Sequence, residues 1–195
     1  HAASAIRQYL GGGARNEHMQ LLDLNRTYYD AYLSRPYMIY KDKKGAKNRF
    51  QHIRKLWNNQ DVLIVEGEHT RFGVGNDLLN NAKSVQRILT LDKNCYNVYD
   101  NLLNKVKKMG KDKLIMIILG PVATIMAYDL AKYDYWAVDI GQLDVEYEWY
   151  LRQVKERCDI SYKTVSEVQK YNAIDNDFNK EYIKKYNYEI VEVVK

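Results

Sequence analysis

Residues 114–124 read Leu-Ile-Met-Ile-Ile-Leu-Gly-Pro-Val-Ala-Thr, and residues 138–149 read Val-Asp-Ile-Gly-Gln-Leu-Asp-Val-Glu-Tyr-Glu-Trp. The unbroken apolar run that opens the first stretch predicts a strand buried on both faces of a parallel sheet. Gly120 ends that strand, and Pro121 suits the first position of a helix, where its missing N–H costs nothing. A second strand is predicted at Tyr135–Ile140, and a short acidic loop follows it. A helix N-terminus and two carboxylates therefore meet at the carboxyl edge of the sheet, where open parallel sheets bind ligands.

Strand and helix patterns alternate on both sides of this stretch. Further strands are predicted at 61–65, 88–91 and 188–194, and further helices over 78–85 and 96–106. The alternation predicts an α/β fold, a Rossmann-like and mostly parallel sheet with helices on both faces. Residues 1–20 fit no element beyond a turn or two of helix at Ala2–Leu10. The expected organisation is therefore an N-terminal segment, 1–20, followed by one domain, 21–195.

Composition favours a soluble globular protein of the cytoplasm. The chain has 195 residues, a net charge of +5 and a sequence pI near 8.9. That mild charge argues against a nucleic-acid binder, which would carry a stronger excess of basic residues. The two cysteines, Cys95 and Cys158, form no disulfide framework and are expected to stay reduced. No apolar run approaches the roughly 20 residues of a membrane span.

Basic residues are concentrated in the segment 41–55, which contains seven Lys and Arg against one Asp. Phe50, Ile53 and Trp57 recur within and just after it at helical spacing. The segment is therefore predicted to be an amphipathic helix whose charges face solvent. The alternative is that this basic face contacts a polyanion or the surface of a membrane, as a peripheral partner would.

The acidic triplet Asp144-Val145-Glu146 is the candidate metal site. In an extended loop, residues two apart point to the same side, so both carboxylates would face one ligand. Paired carboxylates suit a hard divalent cation such as Mg²⁺ or Mn²⁺ that also holds a diphosphate. Asp-x-Glu triplets are also common on protein surfaces, and Asp139 and Glu148 are nearby competitors for the same role.

A second polar cluster is the loop that follows the predicted strand 61–65. Its candidate catalytic residues are Arg71, which can bind phosphate or a sugar hydroxyl, and Glu66 and Glu68, which can bind sugar hydroxyls or act as a base. Pairing of these carboxylates with Arg71 is an equally good structural reading. The same loop holds the candidate nucleotide-binding residues Gly73, Gly75, Asn76 and Asp77, although capping of the next helix explains one of the last two.

The turn from Gly120 to Thr124 is the third candidate. Free N–H groups at a helix N-terminus, together with the Thr124 hydroxyl, suit a phosphate group. The alternative is that these residues only cap and pack the helix. The four histidines show no zinc spacing, and His69 is the only one that falls in a candidate site.

Three motifs then appear in a fixed order. They read Val65-Glu66-Gly67-Glu68-x-x-Arg71-x-Gly73-Val74-Gly75-Asn76-Asp77-Leu78, then Leu119-Gly120-Pro121-x-Ala123-Thr124 with Ala127-Tyr128-Asp129-Leu130-Ala131-Lys132, then Asp139-Ile140-Gly141-x-x-Asp144-x-Glu146-Tyr147-Glu148-Trp149. Together with Asn25-Arg26-Thr27 and Ser34-Arg35-Pro36-Tyr37, they resemble the bacterial GT-D glycosyltransferases over roughly residues 24–167. That family was first catalogued as a domain of unknown function, and it occurs in loci that glycosylate serine-rich adhesins or build surface polysaccharide.

The resemblance implies a Rossmann-like sheet that binds a UDP-sugar, with Asp144-x-Glu146 as the motif for the metal and the diphosphate. It implies Mn²⁺, a UDP-hexose such as UDP-glucose, and transfer of the hexose to a glycan or glycoprotein acceptor. Members usually begin with a motif like Ser-x-Ser-Arg-Phe-Gly-Asp-Gly-Glu. That motif is not found here, so the resemblance supplies no residues for that part of the nucleotide site.

Two other classes of function compete with a sugar transferase. One is a non-catalytic nucleotide-binding or polyanion-binding module that uses the basic segment 41–55. The other is a different Rossmann-type enzyme. A dinucleotide enzyme would carry Gly-x-Gly-x-x-Gly after its first strand, and the pair Gly73-x-Gly75 does not match that pattern. The expectation taken forward is a metal-dependent hexosyltransferase.

Overall fold

The computed structural model describes residues 11, 13–27, 32–168 and 179–195. The chain divides into two compact units, residues 1–31 and residues 32–195. The first unit contains the helix α1 (Gly13–Leu21). The helical turn predicted at Ala2–Leu10 lies outside the described residues. Among the described residues, no helix has both the length and the apolar character that crossing a bilayer requires.

The second unit is built around one five-stranded sheet in the order β4-β3-β1-β2-β5, with every neighbouring pair parallel. Its strands are β1 (Asp61–Gly67), β2 (Ser84–Thr90), β3 (Leu114–Ile118), β4 (Ala137–Asp139) and β5 (Ile190–Val193). Its α-helices are α2 (Ala46–Ile53), α3 (Tyr99–Met109), α4 (Pro121–Ala131), α5 (Leu143–Leu151) and α6 (Lys180–Glu189). Two 3₁₀ helices, Arg54–Trp57 and Cys95–Val98, precede β1 and α3. The predicted parallel α/β fold is confirmed.

Both faces of the sheet are covered, because alternate residues of a strand point to opposite sides. Val62 and Ile64 of β1 pack with α2, the 3₁₀ helix that follows it, and α5. Leu63 and Val65 pack with α3 and α4 on the other face. The basic segment 41–55 contains α2, which turns its apolar residues inward, so the amphipathic helix predicted there is confirmed.

The short helix predicted over 78–85 is wrong. The segment 78–83 forms turns, and Val85 already belongs to β2. The Leu78 carbonyl accepts a hydrogen bond from the Trp57 indole N–H at 3.0 Å, which replaces a helical partner. The Leu78 N–H in turn donates to the side-chain oxygen of Asn76 at 3.0 Å. Hydrogen bonds from tertiary structure and a polar side chain thus override the helical spacing of the apolar residues.

The order in which the chain visits the strands determines where the ligand-binding edge lies. From β1 the chain moves to β2 on one side, then to β3 on the other side of β1. A crevice forms outside the carboxyl ends of the strands at such a reversal, and it is the usual ligand site of open parallel sheets. The candidate site is therefore expected just beyond Gly67 and Ile118, the last residues of β1 and β3.

Candidate functional site

A cavity of about 300 Å³ lies at this reversal. The ends of β1, β2 and β3 and the start of α5 all contribute to its wall. Its lining includes Gly67, Thr70, Phe72, Leu91, Asp92, Asn94, Cys95, Tyr96, Leu119, Gly120, Pro121, Val122, Gln142, Asp144, Thr164 and Ser166. A cavity at the carboxyl ends of parallel strands is the default ligand site of this architecture. The name main cavity is used for it below.

The turn into α4 forms the middle of the main cavity. Gly120 has φ +56° and ψ −139°, a conformation open almost only to glycine, although a Cβ there would meet nothing within 4 Å. Pro121 is the first helical residue, as predicted. Thr124 does not line the cavity; its hydroxyl donates to Asp139 at 2.7 Å and ties α4 to the end of β4. Of the two predicted phosphate ligands in this turn, Gly120 is at the cavity and Thr124 lies behind it.

The acidic triplet does not form the expected extended loop. Asp144 and Glu146 lie in the first turn of α5, where residues two apart point about 200° from each other. Asp144 lines the main cavity. Glu146 points elsewhere: one of its carboxylate oxygens accepts the backbone N–H groups of Tyr37 at 2.9 Å and Met38 at 2.6 Å. The loop prediction is wrong because Val145, Tyr147 and Trp149 are buried and draw the segment into a helix on the sheet.

Asp144 belongs to a buried polar network. It accepts hydrogen bonds from the Asn76 amide at 2.8 Å and from the Lys163 ammonium at 2.6 Å. Lys163 also contacts Glu148 at 3.2 Å and is 1 % exposed. Burial raises the pKa of Asp144 above its ordinary value, and the Lys163 charge opposes that shift. Sequence reasoning missed Lys163, because nothing in its polar surroundings marks it as the partner of a residue 19 positions earlier.

The fit of a divalent cation can be judged from these contacts. Among the described residues, no group of three or more His, Cys, Asp and Glu side chains is arranged to hold a metal ion. Asp144 and Glu146 diverge, so the pair does not fit one ion jointly in this arrangement. Asp144 alone fits, because Mg²⁺-type ions are commonly held by one or two carboxylates together with substrate phosphates. Each of its oxygens already accepts one hydrogen bond and has a lone pair left.

None of the three predicted catalytic residues lines the main cavity. Glu66 is fully buried; one oxygen pairs with Arg87 at 2.6 Å, and the other accepts the Phe72 N–H at 2.8 Å. Glu68 pairs with Lys195 at 2.6 Å. Arg71 is 8 % exposed and donates to the Tyr162 carbonyl at 3.2 Å. Their catalytic assignment stays a prediction.

The glycine-rich loop lines a different pocket. Gly73, Gly75, Asn76 and Asp77 border a second cavity of about 180 Å³, whose opposite wall is α6. Asp77 is held by Tyr147 at 2.7 Å. Asn76 links the two cavities, since its amide donates to Asp144 on the wall of the main cavity. The residues predicted to bind one nucleotide are thus divided between two pockets.

Several residues of the main cavity had no place in the sequence-based site. Asp92, Asn94 and Tyr96 follow β2, and Thr164 and Ser166 follow Lys163. The backbone N–H of His69 donates to Asp92 at 3.0 Å, and its ring contacts the same carboxylate, so the loops after β1 and β2 are joined. The available signal was positional: residues that directly follow a buried parallel strand lie at the ligand-binding edge.

Comparison with known proteins agrees with this geometry. The family model for the glycosyltransferase GT-D fold matches residues 8–168. A probable glycosyl transferase Gly from Streptococcus gordonii is 37 % identical over 140 residues, and glycosyltransferase GlyD from Streptococcus pneumoniae serotype 4 is 36 % identical over 140 residues. Each match covers 72 % of this chain but only 20 % and 17 % of those proteins. The chain therefore spans about a fifth of the length of the curated relatives that it matches.

Solved structures give the same result. The highly conserved domain of unknown function 1792, described as having a distinct glycosyltransferase fold, superposes with a TM-score of 0.84 at 32 % identity, over 97 % of this chain and 68 % of that one. A glycosyltransferase of the same domain type from Streptococcus sanguinis gives a TM-score of 0.80 at 29 % identity, over 98 % of this chain and 71 % of that one. Sequence motifs, parallel sheet and family match agree, and the chain belongs to the GT-D glycosyltransferase family.

Proposed function

We propose that this chain is the catalytic domain of a hexosyltransferase that takes its sugar from a UDP-hexose and passes it to a glycan or glycoprotein. The observation that carries the proposal is the main cavity, where the start of α4 and the Asp144 carboxylate meet at the carboxyl edge of the sheet. Membership of the family supports the reaction class. The resemblance to members from adhesin-glycosylating loci favours glucose as the hexose.

The start of α4 suits the diphosphate of a UDP-sugar donor. Pro121 has no N–H and the Ala123 N–H donates to the Gly120 carbonyl at 3.0 Å, so the first turn of α4 offers the Val122 N–H and the positive end of the helix dipole to the diphosphate. In the reaction, an acceptor hydroxyl oxygen bonds to the anomeric carbon and loses its proton to a base or to water, the bond from that carbon to the diphosphate oxygen breaks, and the electron pair of that bond leaves with UDP. Charge on the diphosphate grows in this step, so groups fixed beside it stabilise the transition state.

Asp144 is the residue that would hold a divalent cation, Mn²⁺ or Mg²⁺. When bound, such an ion supplies positive charge to the diphosphate. Asn76 and Lys163 orient the Asp144 carboxylate through hydrogen bonds of 2.8 Å and 2.6 Å. Glu146 does not line the cavity. It accepts the N–H groups of Tyr37 and Met38 and so fixes their backbone against α5.

Arg71 is the strongest of the three predicted catalytic residues. Thr70 and Phe72, its neighbours in the chain, both line the main cavity. Glu66 is poorly suited to be a base, because both of its oxygens are engaged within the core. Arg71 is therefore proposed to act on the departing diphosphate, and Glu66 to hold the loop in place.

The test is a panel of UDP-sugars with Mn²⁺, read as thermal shift and then as release of UDP. A ligand that binds only the folded protein raises the melting temperature, and the shift grows with the ratio of ligand concentration to Kd. UDP-glucose is expected to give the largest shift and the fastest release of UDP. Asp144→Asn is the matched control, and it should lose the cation-dependent part of the shift. The proposal is wrong if no nucleotide sugar stabilises the wild-type protein or is turned over.

A further inference from the structure

One end of the main cavity is apolar and carries an exposed aromatic ring. Tyr96 follows β2, lines the cavity and is 61 % exposed. Its neighbours in the lining include Leu91, Cys95 and Val122. Asp144 belongs to the opposite end, because α5 follows β4 and the sheet order separates β4 from β2 by β3 and β1. The cavity therefore has a largely apolar end at β2, where the Asp92 carboxylate is bound by His69, then the helix N-terminus, and then the Asp144 carboxylate.

The ring of Tyr96 is held in place from behind. It stacks on the ring of Tyr99 with centroids 5.3 Å apart and an interplanar angle of 30°. Tyr99 is 9 % exposed, and its hydroxyl donates to Asp129 of α4 at 2.7 Å. The platform is thus fixed by α3 and α4, and the start of α4 also lines the cavity. A rigid exposed aromatic face is the surface on which nucleobases stack in many nucleotide-binding proteins.

Asn94 supplies a polar edge beside this platform. It lines the main cavity two residues before Tyr96 and has the left-handed conformation φ 56°, ψ 29°. Its side chain does not cap the 3₁₀ helix Cys95–Val98. A carboxamide offers two N–H donors and a carbonyl acceptor. The edge of uracil, which has an N–H between two carbonyl oxygens, matches that combination.

We propose that Tyr96 and Asn94 form the nucleobase subsite, in which Tyr96 stacks on a uracil ring and Asn94 reads its polar edge. This inference rests on the proposed function, because it places the base of the UDP-sugar donor. The base then lies at the β2 end, and the diphosphate lies between the start of α4 and Asp144, where a cation held by Asp144 would reach it. An aromatic ring with a carboxamide beside it suits the base, and a helix N-terminus followed by a carboxylate suits a diphosphate with its cation.

The experiment measures binding of UDP, uridine and inorganic pyrophosphate by calorimetry to the wild type and four variants. Tyr96→Leu should weaken UDP and uridine binding roughly 5- to 100-fold, as the loss of one aromatic stack does, while pyrophosphate affinity stays unchanged. Tyr96→Phe keeps the ring and should bind UDP within a few-fold of the wild type. Asn94→Ala should weaken UDP binding about 3- to 10-fold, as one lost hydrogen bond does. Tyr128→Leu, at a tyrosine 65 % exposed on α4, is the matched control and should change nothing.

A second measurement reports stacking directly. The uracil H5 and H6 resonances of UDP should move upfield when it binds the wild type and Tyr96→Phe, and that shift should vanish with Tyr96→Leu. If the wild type binds UDP and Tyr96→Leu keeps both the affinity and the shift, the subsite is elsewhere while the proposed function stands. A wild-type protein that binds neither UDP nor any UDP-sugar overturns the subsite and the proposed function together. Because Tyr96 is mostly exposed, both variants should stay folded; Tyr96→Phe should keep the melting temperature, and Tyr96→Leu should lower it only slightly, by the lost contact with Tyr99.

Discussion

At the scale of single residues, Asp144 and Glu146 show how one intervening position separates two roles. Asp144 faces the main cavity with Asn76 and Lys163 beside it. Glu146 faces the other way and accepts two backbone N–H groups in the interior. Burial raises the pKa of Glu146, and those two N–H groups oppose the shift. A substitution at each position should therefore change a different property.

Asp144→Asn should abolish cation-dependent turnover and leave the protein folded, because an amide can keep one hydrogen bond to the network but carries no charge for the cation. Glu146→Ala should instead lower the free energy of unfolding by about 2–4 kcal/mol, because it leaves two buried N–H donors without their acceptor. Urea unfolding and UDP release, measured on both variants, separate the two effects. Full turnover of the wild type in excess EDTA would show that the reaction needs no divalent cation.

Arg71 is a second residue whose role can be isolated. It has φ 49°, a left-handed conformation that is unusual for arginine, and it lies between two residues of the cavity wall. Arg71→Ala should lower turnover on the order of 10²-fold or more, with a smaller effect on UDP affinity, as expected for a donor that acts on growing charge. Arg71→Lys keeps the charge but loses the planar fork and should restore turnover only in part.

A purely structural role for Arg71 predicts a different pattern. It requires a lower melting temperature for Arg71→Ala and a matching defect when a carboxylate of its loop is neutralised. The structure pairs Glu66 with Arg87 and Glu68 with Lys195. Glu68→Gln breaks only the pair with Lys195, so near-normal turnover in this variant would argue against loop pairing by Arg71 and against a catalytic role for Glu68. Near-normal turnover by a well-folded Arg71→Ala variant would show that Arg71 has no catalytic role.

At the scale of elements, a buried charge cluster joins β1, β2 and α6. Arg87 is 2 % exposed and binds Glu66 at 2.6 Å and Glu189 at 2.7 Å. Arg87→Met should lower the free energy of unfolding by about 3–5 kcal/mol, because it leaves the Glu66 carboxylate buried without its cation. Adding Glu66→Gln should recover part of that loss, because it removes the unpaired charge. Chemical denaturation of the single and double variants measures both effects, and equal stability of Arg87→Met and the wild type would contradict the argument.

The elements also show what the sequence could and could not predict. The apolar runs at 61–65 and 114–119 predict β1 and β3, because strands buried on both faces need apolar residues throughout. Residues 78–83 look helical by the same spacing rules but form turns, since their hydrogen bonds go to Trp57 and Asn76. The acidic residues at the start of α5 predict a loop, but the burial of Val145 and Trp149 makes the segment helical. Tertiary contacts decided each of these cases.

At the scale of the whole molecule, the motifs predicted the family and the edge of the sheet where the site lies. They did not predict which residues share a cavity. Gly120 and Asp144 meet in the main cavity, whereas Gly73 and Asp77 line another. Lys163 reaches Asp144 only because a later segment folds back over α5. Such groupings depend on how loops of different strands pack, and a single sequence carries no direct signal for that.

The tyrosines give the whole molecule a testable response to alkaline pH. Burial first, and hydrogen bonds to Asp129, Asp77 and Glu148 second, raise the pKa of Tyr99, Tyr147 and Tyr162 above its ordinary value. In the unfolded chain these groups titrate near pH 10. A pKa that is higher in the folded state contributes stability that is complete below about pH 10 and is lost as the pH rises further. The free energy of unfolding should therefore stay level between about pH 8 and 9.5 and fall above pH 10, with each such tyrosine adding up to about 1.4 kcal/mol per pH unit to the slope.

Tyr147→Phe removes one of these groups. Its free energy of unfolding should be lower at pH 8, because the hydrogen bond to Asp77 is lost, and should then fall less steeply as the pH rises. Urea unfolding from pH 8 to 11, with phenolate absorbance recorded on the folded protein, measures both slopes. Identical slopes for the wild type and Tyr147→Phe would show that Tyr147 titrates as freely in the folded protein as in the unfolded chain.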